Sequence, residues 1–165
     1  MIRLLNPDDV AAILAVVNDG AQVYCGVIPG DCWHEPYMPQ EELLSELDAG
    51  VRFYGLEKDG QLAGVMGRQD LPGVTLIRHA YVRQEYQRQG IGSRLLARVL
   101  QGLKPPVLVG TWVAAWWAVR FYEGHGFRLV TPEEKERLLR AHWTISDRQI
   151  ETSVVLTWEP TGFSS

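Results

Sequence analysis

The chain has 165 residues, 46% hydrophobic and 22% charged, the profile of a globular domain large enough to bury its own core. Its net charge of −4 offers no basic field for nucleic acid, and no apolar run approaches membrane-spanning length. Cys25 and Cys32 are the only cysteines, which argues against a disulfide scaffold or a structural zinc site; two reduced thiols, and no signal-peptide core after Arg3, Asp8 and Asp9, predict a cytoplasmic protein.

Ile2-Arg3-Leu4-Leu5 reads as a first strand, and Asn6-Pro7 as a helix cap with proline in the first turn. Val10, Ile13, Leu14 and Val17 recur at helical spacing, so a helix runs to about residues 18–20. Residues 21–38 have no period. Tyr24, Trp33, His34 and Tyr37 stand there among Gly26, Pro29, Gly30 and Pro36, the composition of an ordered loop. Pro39-Gln40-Glu41-Glu42 opens a second helix, with Leu43, Leu44 and Leu47 inward and Gly50 as its stop. Strands are expected over 51–57 and 61–69, joined by a Lys58-Asp59-Gly60 hairpin turn. After a turn at Leu71-Pro72-Gly73 comes a central strand, 74–82. A helix over 93–103 is broken by Lys104-Pro105-Pro106. Residues 107–112 form a buried strand, 114–125 a helix stopped by Gly126, and 127–130 a short strand. Thr131 caps a further helix, with Leu138, Leu139 and Trp143 on its apolar side. Residues 150–158 read as the last strand. This order predicts an α/β or α+β fold: a mixed, mostly antiparallel sheet of about seven strands with helices on both faces. A single domain is expected over 1–160, with a frayed tail at 161–165.

The chemistry concentrates between the central strand and the helix after it, at Gln87-Arg88-Gln89-Gly90-Ile91-Gly92-Ser93. A strand, a short glycine loop and a helix bring unpaired N–H groups and the positive end of a helix dipole to one point. Gly90 and Gly92 let an anion reach the bare backbone, so the natural ligand is a phosphate or pyrophosphate. A P-loop is excluded because no lysine follows Gly92. A dinucleotide fingerprint is excluded because Ser93, Arg94 and Leu95 follow where a third glycine should come.

The loop fits Q/R-x-x-G-x-G/A and resembles the coenzyme A pyrophosphate loop of the GNAT N-acetyltransferases. Tyr81-Val82-Arg83-Gln84-Glu85-Tyr86 leads in as that family's "LYV-x-P-x-Y" does. Further on, Phe121-Tyr122-Glu123-Gly124-His125-Gly126-Phe127 resembles its "FYE-x-x-GF". The resemblance covers roughly residues 1–131. It implies a sheet whose fourth and fifth strands run parallel and splay apart, with acetyl-CoA in the splay. It also implies direct attack by a primary amine, of a small molecule or a peptide, in a ternary complex.

Site roles follow from the same resemblance. Residues 87–93 would anchor the coenzyme, mostly through backbone amides. The oxyanion would fall near the backbone of Val82, where the family's fourth strand carries a bulge that frees an N–H. Tyr122 matches the tyrosine that protonates the departing thiolate; its alternative is a core aromatic with a satisfied hydroxyl. The base stays open among His79 on the fourth strand, Glu57 at the end of the second, and His34 with Glu35 in the first loop. Histidine is the side chain that ordinarily titrates near neutrality, but a satisfied strand histidine is an equal reading of His79; Glu85 reads as solvated. Ala115 stands where the family commonly has an asparagine that binds the pantetheine arm. Of Trp112, Trp116 and Trp117, most are expected in the core and one as a channel wall.

The acceptor pocket is expected between Tyr24 and Tyr37 and in the segment 132–149. Tyr24, Trp33 and Tyr37 would wall it, and Asp31, Glu35 and Glu41 could meet a cationic amine. Two other readings compete with the enzyme. One is a catalytically weak acyl-CoA-binding or sensing module, to which Ala115 points. The other is a structural subunit of a homodimer, paired through the apolar last strand Val154-Val155-Leu156 as an edge.

Overall fold

The computed structural model describes residues 1–159; the expected frayed tail lies outside them. Its strands are β1 (Ile2–Leu4), β2 (Arg52–Lys58), β3 (Gln61–Leu71), β4 (Val74–Val82), β5 (Val107–Trp112), β6 (Phe127–Leu129) and β7 (Ser153–Trp158). They form one seven-stranded sheet in the order β1-β2-β3-β4-β5-β7-β6. All neighbours are antiparallel except β4 and β5. The β2–β3 hairpin turns on Asp59 and Gly60 with φ of 54° and 78°, the hand that suits right-twisted strands. From β4 the chain reaches β5 only through a helix, the connection that parallel strands require.

The helices are α1 (Val10–Gly20), α2 (Gln40–Asp48), α3 (Ile91–Leu100), α4 (Trp116–Glu123), α5 (Pro132–His142) and α6 (Asp147–Glu151). Alternation along the strands assigns them to two faces. Met66, Ile77 and Val109 meet Leu95, Leu96 and Val99 of α3 and Tyr122 of α4. The intervening Val65 meets Ile13, Val17 and Leu43 of α1 and α2, while Leu76 and Leu108 meet Leu138 and Leu139 of α5 and Ile150 of α6. Each such large side chain contributes about 1.5–3 kcal/mol by leaving water.

Three expectations are corrected. Asn6 is a cap, but of a 3-10 turn (Pro7–Asp9) that precedes α1; its side chain accepts the Asp8 N–H while Asp9 accepts the Asn6 N–H. The last strand begins at Ser153, because Ser146 and Gln149 close a reciprocal capping box that starts α6. Ile150 is therefore buried from a helix, not from a strand. And β7 lies between β5 and β6, which pairs with its Leu156–Trp158 end, so β7 is not the edge strand of the sheet.

Two irregularities open the sheet at its centre. β4 and β5 pair only at Thr75–Val107, Leu76–Leu108 and Ile77–Val109; beyond these the strands part. On the other flank, the β3–β4 register steps from Gly67–Arg78 to Val65–Tyr81, leaving His79 and Ala80 opposite Met66 alone. This bulge, expected near Val82, sits at His79, which has a φ of 55°. A bulge bends its strand and re-aims its side chains, here at the point where the splay begins.

Candidate active site

The glycine loop ends in Gly90, whose φ of +77° is left-handed and open to glycine without strain. No side chain caps α3. The N–H groups of Ile91, Gly92 and Ser93 are therefore first-turn donors without an intrahelical partner, and all three residues line a cleft of about 670 Å³. A Cβ at Gly90 would meet nothing within 4 Å, so the space before these donors is open. The loop is braced from behind. Arg83 Nε donates to the Leu62 carbonyl at 2.8 Å, Tyr86 Oη to Asp59 at 3.2 Å, and Lys58 Nζ to the Gln89 side chain.

The rest of the cleft is largely apolar, walled by Met66, Ala80 and Val82 from the sheet, Trp117, Phe121 and Tyr122 from α4, and Val23 and Tyr24 after α1. Gly20 at the end of α1 makes the close approach: a Cβ there would stand 2.9 Å from the Val82 carbonyl oxygen and 3.0 Å from Tyr81 Cβ. An anion cradle continuous with an apolar slot fits coenzyme A, which carries a pyrophosphate and a long, weakly polar arm.

A second cleft, of about 860 Å³, opens beside α2 and the α5–α6 segment. It is lined by His34, Tyr37, Glu42, Glu46, Arg78, His79, Trp112 and Arg148, among others. Between the clefts lies a neck of about 70 Å³, lined by Tyr24, His79, Ala80, Tyr81, Thr111 and Tyr122. It occupies the stretch where β4 and β5 have stopped pairing.

Packed aromatic side chains surround the neck. Tyr24 lies 5.7 Å from Tyr37, 6.1 Å from Tyr81 and 6.2 Å from Trp117, centroid to centroid, and Trp112 Nε1 donates to Tyr37 Oη at 2.9 Å. Burial, with the neighbouring Tyr37, pushes Tyr24 up to about 12. Burial, and then Tyr24, raises Tyr122 well above an ordinary phenol. Both are thus protonated hydrogen-bond donors at neutral pH.

Charge gathers in the second cleft. Glu46 Oε1 lies 2.6 Å from His79 Nε2 and 3.4 Å from Arg78. Burial works to raise the Glu46 carboxyl, but its hydrogen bond with His79 and the nearby Arg78 guanidinium outweigh it and hold it below its ordinary value. Glu42 is raised, by burial first and then by Glu46. At the rim, Arg148 of α6 pairs with Asp31 of the first loop at 3.0 Å.

Of the residues singled out in the sequence, Val82, Gln87, Arg88, Gly90, Ile91, Gly92, Ser93, Tyr24 and Tyr122 line the first cleft. His34 and His79 line the second. Glu35, Glu41 and Glu85 line neither, and nor do Gln89, Trp33 and Glu57. Gln89 is turned to Lys58. Trp33 stacks behind Tyr37 at 5.7 Å. Glu57 is held by Arg3 at 3.0 Å, on a strand two removed from the neck. Ala115 is wholly buried at the start of α4 and offers no polar group to a pantetheine arm. Only Trp116 among the three tryptophans is surface, 61% exposed beneath the Arg120 guanidinium; Trp117 walls the first cleft and Trp112 the second, so none is simple core. Glu42, Glu46 and Arg78 were not foreseen. One signal was available for the two glutamates: they lie one helical turn apart on α2 and share a face.

A family model described as an acetyltransferase (GNAT) domain matches residues 15–142. No curated protein sequence matches the chain. Among solved structures, it is similar to the PaiA N-acetyltransferase of Thermoplasma acidophilum in complex with coenzyme A, at 18% identity and a TM-score of 0.72 over 97% of this chain and 98% of that one. It is similar to a GNAT-family acetyltransferase of Staphylococcus aureus Mu50, at 18% identity and a TM-score of 0.70 over 96% and 97%. It also matches the ribosomal-protein-S18-alanine N-acetyltransferase of Escherichia coli, at 15% identity and a TM-score of 0.68 over 100% and 97%. At these identities the likeness is one of fold.

Proposed function

The chain belongs to the GNAT acetyltransferase family, and on that premise we propose that it is an acetyl-CoA-dependent N-acetyltransferase whose acceptor, a primary amine of a small molecule or a peptide, attacks directly in a ternary complex. The observation that carries this reading is the neck: a small space that shares Tyr24, Ala80, Tyr81 and Tyr122 with the first cleft and His79 with the second. Acetyl-CoA, the coenzyme of this family, supplies a thioester-activated acetyl group. The first-turn N–H groups of α3 and the Arg88 side chain hold its pyrophosphate. The β4 backbone at Val82 lies where the acetyl oxygen would gather charge, and Tyr122 Oη holds a proton for the departing sulfur. The aromatic walls of the neck lower the local dielectric, which strengthens each of these polar contacts.

The second cleft is then the acceptor's. Its walls, His34, Tyr37 and Trp112, suit a flat or apolar body, and Glu42 with Glu46 suits a cationic amine. A size of about 860 Å³ admits a peptide end as well as a small amine; the Escherichia coli relative in fold is named for acetylating a protein alanine. A competing reading, an acyl-CoA sensor without turnover, has one observation in its favour, the buried Ala115, which puts no polar side chain at the start of α4. Thiol release from acetyl-CoA across a panel of amines separates the two.

Binding itself is checked by melting. Acetyl-CoA at ~100 times its Kd should add roughly 2.7 kcal/mol, which for a chain of this size raises Tm by about 5–10 °C. No rise at millimolar acetyl-CoA, with the protein shown to be folded, would remove the coenzyme assignment.

A further inference from the structure

We propose that His79 is the base that takes the acceptor's proton, and that Glu46, reaching it from α2, is the residue that positions it. The proposal rests on the acetyl-transfer reading above. Its ground is a pairing that links two distant stretches of chain: Nε2 of His79 meets Oε1 of Glu46 at 2.6 Å, with the two side chains only 16% and 14% exposed.

Three features make this more than a structural ion pair. First, His79 lines both the neck and the second cleft, and Tyr122 lines the same neck. A base on the acceptor side and an acid on the sulfur side thus share one small space. Second, His79 stands on the β4 bulge with a left-handed φ of 55°, a conformation that a non-glycine residue keeps only when its surroundings demand it. Such residues gather at functional sites. Its ring stacks on Phe53 at 6.2 Å and 22°, which fixes the plane. Third, the hydrogen bond assigns the tautomer. Glu46 is an ionised acceptor, so Nε2 carries the hydrogen and Nδ1 keeps a lone pair. Nδ1 has no hydrogen-bond partner among the described residues.

The other candidates are spoken for. Glu57 is held by Arg3. His34 Nδ1 faces the Pro36 carbonyl at 2.9 Å, and the ring lines the outer cleft but not the neck. Glu85 is exposed beside Gln61.

The step balances without a further reagent. The amine reacts in its neutral form, the proton of the bound cation having passed to solvent. As its nitrogen bonds to the acetyl carbon, the proton it sheds passes to His79 Nδ1, and the imidazolium is stabilised by Glu46. The carbon–sulfur bond breaks with its electron pair on sulfur, Tyr122 Oη supplies the sulfur's proton, and the proton on His79 returns to Tyr122 through solvent.

The test uses an amine that the wild-type protein acetylates, with kcat, acetyl-CoA Kd and the pH profile of kcat/KM measured for His79→Asn and Glu46→Gln. Asparagine is the replacement best tolerated at a left-handed position, and it cannot act as a base. The groups around His79 are Glu42 and Glu46 from α2, Arg78 of its own strand, His34 and Tyr37 of the first loop, and Tyr24 and Tyr81. His79→Asn should lower kcat about 10²–10⁴-fold, leave the acetyl-CoA Kd unchanged and abolish the acidic limb. Removing the Glu46 charge destabilises the imidazolium, so Glu46→Gln should move that limb to lower pH and lower kcat less. A purely structural pair would lower Tm in both variants and leave the limb in place. The proposal is overturned if His79→Asn keeps kcat within threefold, or if Glu46→Gln, which reports even where His79→Asn fails to fold, leaves the limb unmoved. A wild-type protein that releases no thiol with any amine would instead overturn the acetyl-transfer reading on which the proposal stands.

Discussion

Gly90→Glu is expected to abolish acetyl-CoA binding while the chain stays folded. The φ of +77° at this position makes any side chain cost roughly 1–2 kcal/mol, against the 5–15 kcal/mol by which domains are typically stable. No clash adds to that cost, because a Cβ would meet nothing within 4 Å. What changes is the cradle. A carboxylate placed before the open N–H groups of Ile91, Gly92 and Ser93 competes for them and repels the pyrophosphate. Gly90→Ala carries the same backbone strain without the charge and should keep most of the affinity. Calorimetric titration of both variants separates the two effects. Normal binding by Gly90→Glu would put the pyrophosphate elsewhere.

Tyr122→Phe is expected to lower kcat by about 10²–10⁴-fold, the usual worth of a placed general acid, with acetyl-CoA affinity nearly unchanged. Phenylalanine keeps the packing on Phe121 and Phe127, whose centroids lie 5.1 and 5.3 Å away, and removes only the hydroxyl. Burial has lifted that hydroxyl well above an ordinary phenol. It is therefore protonated at working pH and suits an acid, not a base. The shift also predicts that no alkaline limb near neutrality belongs to Tyr122. An unchanged kcat, with chemistry shown to be rate-limiting, would return Tyr122 to a core aromatic.

Local signals in the sequence were enough for some elements and not for others. The central strand was bounded correctly at Val74 and Val82, and β5 at Val107 and Trp112, because apolar runs and the flanking Pro-Gly and Pro-Pro punctuate them sharply. The glycine loop was legible because an anion cradle is written in adjacent residues. Ile150 misled because a single apolar residue before an alternating strand reads as part of it, although Ser146 and Gln149 spell a helix start. Strand order is not written in local signals, and an apolar last strand therefore reads as an edge, although β7 lies between β5 and β6. Glu57 was misplaced for a related reason: alternation tells which face of a sheet a residue takes, not how far from the neck its strand will lie. The His79–Glu46 contact spans 33 positions and depends on a bulge that no period announces, so only the folded chain brings the two together.

The most direct test of the acetyltransferase account is release of coenzyme A thiol from acetyl-CoA by the purified protein, followed with and without a panel of amines and peptide amines, with the mass of each acceptor read at the end. The account predicts thiol release that depends on an amine and matches, mole for mole, the acetylated acceptor formed. Acetyl-CoA that raises Tm yet yields no thiol above the amine-free rate with any acceptor would contradict it and leave a coenzyme-binding module in its place.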